Sequence, residues 1–190
     1  MSNNLDLFCN ILENRSIENQ KSFEVLYSNG LWGNCFSILR QELDSLVRVL
    51  YLLDITDLNL RDNYVMQTLR GEKWSYINHN GKRVVVTDKD MVDLANSLMG
   101  WAQYVYKFGC SFIHLSNFHN YNVVNPFALL SQEEKNSIIY YMEHYHGAEL
   151  NNNSEMKDFY PYLSKVMEKI AGNLNCYIQE LKLNNEINIL

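Results

Sequence analysis

From Met91 onward the chain carries two rows of large apolar side chains at a spacing of seven, Met91, Leu98, Val105 and Phe112 in one and Leu94, Trp101, Phe108 and Leu115 in the other. A double row of that period is buried only against other helices, as the a and d seam of a bundle. His119 continues the first row, which puts a polar ring where the pattern asks for carbon. The adjoining row, Ala95, Ala102, Gly109 and Ser116, is small throughout. Small side chains in register admit a close helical neighbour, either from the same chain or across a dimer interface. The pattern predicts one central helix over about 88–121.

The flanking segments also read as helices. Residues 4–28 form one or two of them, with Leu5, Phe8 and Leu12 on one face and Ser28-Asn29-Gly30 closing the segment. Over residues 31–55, Ile38, Leu39, Leu43, Leu46, Val49, Leu50 and Leu53 recur at helical spacing, with Gln41, Ser45 and Arg48 on an opposite, wet face. Asp57 is placed to cap a short helix over 57–70. Ser131 and Glu134 make a capping box that opens a helix ending at Gly147. Ser154 opens the last helix, whose buried stripe runs through Met156, Phe159, Leu163, Val166, Ile170, Leu174, Tyr177 and Leu181; Pro161 marks its first turn or a kink.

Only residues 74–87 differ in texture: aromatic and β-branched runs flank Asn80-Gly81, a dipeptide suited to a type I′ turn. A lone two-stranded ribbon is marginal in water, so the hairpin has to pack on the helices or on a partner. The expected fold is therefore all-α, a single antiparallel bundle of about five to six helices over residues 1–190, with one β-hairpin insertion at about 74–87.

Composition narrows the function classes. A chain of 190 residues, 47% hydrophobic and with only 2 prolines, has the material for one substantial core. The net charge of -6 argues against broad, non-specific DNA binding, which needs clustered Lys and Arg to release counterions. Cys9, Cys35, Cys110 and Cys176 form no CxxC pair and are read as buried free thiols of a cytoplasmic protein. The first residues lack a basic stretch followed by an apolar run, and no window approaches ~18 consecutive apolar residues, so neither a secretory signal nor a membrane span is expected. HExxH, Walker, GxSxG and GxGxxG signatures are absent, and no metal or cofactor is implied. Thirteen tyrosines and 7 methionines suit wide, adaptable packing surfaces, an interface among them, and tyrosines can also wall a small-ligand pocket.

The candidate site residues are Arg40, Glu42, His114 and His119. Glu42 lies in the row Ile38, Glu42, Leu46 and Val49, where a carboxylate has to find a partner or be protonated. Arg40 and Asp44, four apart, are placed for an intrahelical ion pair. His119 is either a hydrogen-bonded structural residue near the helix end or a general acid/base, since imidazole titrates near neutrality. His114 lies about 140° from it around a helix at about 100° per residue, so the two cannot share one metal. His144 and His146, two apart, face opposite sides near a helix C-terminus, where the dipole favours imidazolium.

The segments LRQELDSLVRVLYLL (Leu39–Leu53) and FIHLSNFH (Phe112–His119) together resemble the HEPN superfamily of helical bundles, in its poorly characterised branches. The resemblance implies a homodimeric bundle acting as a binding or accessory module in bacterial defence or a toxin–antitoxin pair, with a protein or RNA partner. It also implies an alternative, a metal-independent ribonuclease with His114 or His119 as general acid/base and Arg40 on the phosphate. Active members of that superfamily carry an arginine, then four to six intervening residues, then a histidine, both lining a cleft at a dimer interface. Here Lys107 is nearest to that position before His114, and no arginine follows Arg83.

Overall fold

The computed structural model describes residues 3–183, as an all-α bundle carrying one antiparallel hairpin. Its buried apolar side chains form one contiguous core. Among the described residues no helix is long and apolar enough to cross a membrane.

The centre is α2 (Trp32–Asp54), against which α1 (Asn3–Ser28), α4 (Asp88–Met99), α5 (Ala102–Ile113) and α8 (Leu163–Lys182) all pack. The apolar residues of α2 fill the core, while Arg40, Glu42, Asp44, Ser45 and Arg48 meet polar partners on neighbouring elements. Leu43, Leu46, Val49, Leu50 and Leu52 have no exposed surface at all, and each such side chain contributes about 1.5–3 kcal/mol by leaving water. Of the wet face expected at Gln41, Ser45 and Arg48, Ser45 is buried and the other two are half-buried. Ser45 is fully buried and accepts a hydrogen bond from Arg15 Nη1 at 3.1 Å, because α1 lays its own polar residues over that stripe. Residues 4–28, expected as one or two helices, are a single helix of 26 residues with Leu5, Phe8 and Leu12 buried.

Asp57 caps α3 (Leu58–Leu69), its carboxylate accepting from the backbone N–H groups of Asn59 and Leu60. The hairpin pairs β1 (Ser75–Ile77) with β2 (Arg83–Val85) in the register Tyr76 opposite Val84. It is anchored on α3 as its marginal stability requires. Gln67 donates to Ser75 O at 2.9 Å and accepts from Ser75 N at 2.7 Å, while buried Trp74 stacks on Tyr64 with centroids 5.1 Å apart. The turn differs in detail from the type I′ expectation. Gly81 N–H donates to Asn78 O and Asn78 N–H to Lys82 O, both at 2.9 Å, so Gly81, at φ 70°, ends a three-residue loop rather than filling the centre of a two-residue one.

The central helix over 88–121 is not continuous. Thr87 and Asp90 open α4 with a capping box, and α4 stops at Gly100, whose φ of 76° only glycine adopts without strain. Tyr141 of α6 (Gln132–His146) lies against Gly100 so closely that a Cβ there would sit 2.2 Å from its Oη. After the break α5 runs only to Ile113, and Asn117–Asn120 form a separate 3-10 turn. Leu115, expected in the seam, is 95% exposed.

The small row serves this chain's own packing. Ala95, Ala102 and Gly109 are buried, and Gly109 meets α2 where a Cβ would stand 2.3 Å from Arg40 Cβ, whereas Ser116 is exposed beyond the helix end. Ser131 and Glu134 form the expected capping box of α6, and Gly147 ends it at φ 63°. Ser154 does not open the last helix. Glu155 and Asp158 make the box that starts α7 (Met156–Phe159), and the chain passes Pro161 in a 3-10 turn before α8 begins. All eight residues of the anticipated stripe are buried. The thiols divide: Cys9 and Cys35 are buried, with burial pushing each up to about 11, but Cys110 is half-buried and Cys176 exposed.

Candidate functional site

Glu42 is fully buried on the side of α2 that faces α1, where it accepts hydrogen bonds from Ser16 Oγ and, at 2.8 Å, from Asn19 Nδ2. Arg40, two residues earlier, projects toward α4 and α5. Its guanidinium lies 3.9 Å from the Tyr106 ring centroid, 3.7 Å from Asp44 and 3.6 Å from Asp88. Burial pulls its pKa down, but hydrogen bonding to Cys110 and the charge of Asp44 more than offset this, so it stays a cation. The intrahelical Arg40–Asp44 pair is therefore present, and it belongs to a wider network with Arg15 and Arg48, which reach Asp44 at 3.5 and 3.1 Å.

The histidines stand apart from these two. His114 is exposed and closes α5, its backbone N–H donating to Cys110 O at 3.0 Å. His119, expected in the core seam, is also exposed. Its Nε2 lies 3.1 Å from Phe112 O and its Nδ1 3.4 Å from Ser116 N. One tautomer satisfies both contacts, with Nε2–H donating to the carbonyl and Nδ1 accepting from the amide. The ring thus ties the 3-10 turn back to the end of α5. Removing it in His119→Ala is expected to cost about 0.5–1.5 kcal/mol, measured as a lower urea midpoint, with His119→Asn losing less. Arg40 and Glu42 leave α2 in different directions, and Glu42 orients neither histidine.

A different set of residues encloses an apolar concavity, smaller than the more polar groove between α1 and α8. The concavity opens between α2, α5, α6 and α8 and holds about 100 Å³. Phe36 and Leu39 of α2 form its floor, Val105 and Phe108 of α5 one wall, and Ile138 and Met142 of α6 the other. Leu163, Val166 and Ile170 of α8 complete it. The break at Gly100 shapes this cavity, because it turns Trp101 inward and lets α6 approach through Tyr141. Tyr104, Tyr145, His146 and Lys169 also line it, although the surface they present to the cavity is almost wholly carbon.

Lys169 Nζ lies 3.7 Å from the Tyr145 ring centroid and 5.8 Å from that of Trp101. Withdrawal from water lowers its pKa. His146 does not follow the dipole argument for its helix end. Burial, and then the charges of Lys169 and Lys165, push its imidazole below the ordinary histidine range, which favours the neutral ring. Lys165 Nζ donates to His146 O at 3.2 Å, holding the end of α6 against α8.

Sequence reading missed this site. Val105 and Phe108 read as seam and His146 as a helix terminus, and Lys169 drew no reading at all. The abundance of tyrosine was the one signal pointing toward a pocket, and two tyrosines reach its rim. Among the described residues no group of three His, Cys, Asp or Glu side chains is placed to hold a metal ion. No family model, curated protein or solved structure matches the chain.

Proposed function

We propose that this chain is a helical binding module for a small apolar ligand, received in the cavity between α2, α5, α6 and α8. The observation that carries this reading is the cavity itself, about 100 Å³ lined almost wholly by carbon. Pre-formed, mostly apolar concavities with a few converging polar groups are the usual form of a small-molecule site. Apolar cavities of roughly 150 Å³ stay dry and take benzene. A single ring or a short branched chain, with part of it at the open rim, is thus the size that fits.

The reading is one of binding rather than catalysis, in keeping with the module that the HEPN-like segments suggest. Of the groups a ribonuclease would need, Glu42 is engaged with α1, His119 with its own turn and Arg40 in an ion network, which leaves exposed His114 apart from all three. Toluene titrated into labelled protein is expected to move the methyl resonances of Leu39, Val105, Leu163 and Val166 ahead of all others. It should also raise the unfolding free energy by about 2.7 kcal/mol when free ligand exceeds Kd a hundredfold. Val105→Phe, which fills the cavity, should abolish both effects. A wild-type protein whose pocket methyls ignore toluene at saturation would sink the reading.

A further inference from the structure

We infer that the ligand is a small monoanion, a carboxylate on a single ring or short branched chain, whose apolar body fills the cavity while Lys169 Nζ receives its head beside the His146 ring. This inference rests on the pocket reading above and gives it a ligand class.

The rim carries charge of one sign. Lys89, Lys107, Lys157 and Lys182 each pair with a carboxylate. Lys169, like several other lysines, forms no ion pair among the described residues, and it rests on two aromatic rings. Its ammonium is half-withdrawn from water without a counter-charge, a state that an incoming carboxylate relieves. The charges acting on His146 are likewise cationic, those of Lys169 and Lys165. A neutral imidazole beside the ammonium offers an N–H donor to the second carboxylate oxygen.

The aromatic pair Tyr145 and Trp101 raises the opposite reading, a cage for an external cation. The chain's own Lys169 already occupies that cage, and a second cation would have to displace it while facing Lys165 nearby. Like charges in a partly desolvated rim repel, so the anion is favoured. A dianion would find only Lys169 and a neutral ring at the rim, which selects a single negative charge.

Four compounds of matched shape separate these readings: toluene, benzyl alcohol, benzylamine and benzoate, titrated by methyl NMR and calorimetry at neutral pH and constant salt. Benzoate is expected to bind roughly 10- to 100-fold more tightly than benzyl alcohol, the range for a hydrogen bond to a charged group. Lys169→Met, which keeps the apolar stem, should bring benzoate down to the affinity of benzyl alcohol and leave toluene unchanged. Lys169→Arg should keep the preference for the anion. Wild-type protein that takes toluene but prefers neither charge, or prefers benzylamine, overturns this inference and leaves the pocket standing. Protein that takes none of the four overturns the pocket reading and this inference with it.

Discussion

Gly109→Ala is expected to destabilise the protein by about 3 kcal/mol or more, at the upper end of what one buried methyl costs in a packed core. Its Cβ would stand 2.3 Å from Arg40 Cβ, and 3.0 and 3.2 Å from the Cγ and Cδ of the same side chain. The first of these atoms belongs to the root of Arg40, so no rotamer change relieves the clash. α5 would have to move off α2. Arg40→Ala should accordingly fail to rescue Gly109→Ala, because alanine keeps the offending atom. Gly172→Ala on α8 is the counterpart, since nothing lies within 4 Å of the added methyl. There the gain in helix propensity should stabilise by roughly 0.5–1 kcal/mol. At roughly 2–4 °C per kcal/mol for a chain of this size, thermal melts separate the two substitutions by their sign. Equal melting temperatures for the two variants would contradict the close approach of α5 to α2.

The same contact explains how much of the fold the sequence discloses. Local chemistry carried the hairpin, the Asp57 cap, the Ser131–Glu134 box and the α8 stripe, because each depends on residues within a few positions of one another. The break at Gly100 was not legible. A glycine inside a helical pattern costs only about 1 kcal/mol and is often tolerated, so the unbroken heptads outweighed it. What makes this glycine a terminus is Tyr141, a residue of α6 that arrives against it only in the folded chain. The wet face of α2 failed for a related reason. Ser45 looks solvated until Arg15 of α1 is laid over that side.

Site residues were harder still to read. Lys169 belongs to the rim because Tyr145 and Trp101 converge on it from α6 and from the start of α5, a meeting of three segments that no spacing encodes. His119 continued the seven-residue row in the sequence but lies past the end of α5, where the period no longer applies. The capping role anticipated as one of its alternatives is the one its ring contacts describe.

Glu42→Ala is expected to cost about 3–5 kcal/mol, since it opens a void in the core and leaves two nearly buried donors, Ser16 Oγ and Asn19 Nδ2, without their acceptor. Glu42→Gln should cost far less. The amide keeps one oxygen for Asn19, and the Ser16 hydroxyl can rotate to accept from the new NH₂ group. The discriminating variant replaces the whole cluster, Ser16→Ala with Asn19→Leu and Glu42→Leu. Exchanging both sides of a buried polar contact for carbon of similar volume is often neutral, because no group remains unsatisfied. Urea midpoints should therefore fall sharply for the single alanine variant and return close to wild type for the triple one. Toluene titrations of the triple variant should reproduce the wild-type methyl shifts, since α1 contributes nothing to the cavity lining. If Glu42→Ala instead left stability untouched while changing ligand binding or conferring loss of an activity, the carboxylate would be a functional group held against α1 rather than a structural one, and its hydrogen bonds to Ser16 and Asn19 would serve to position it.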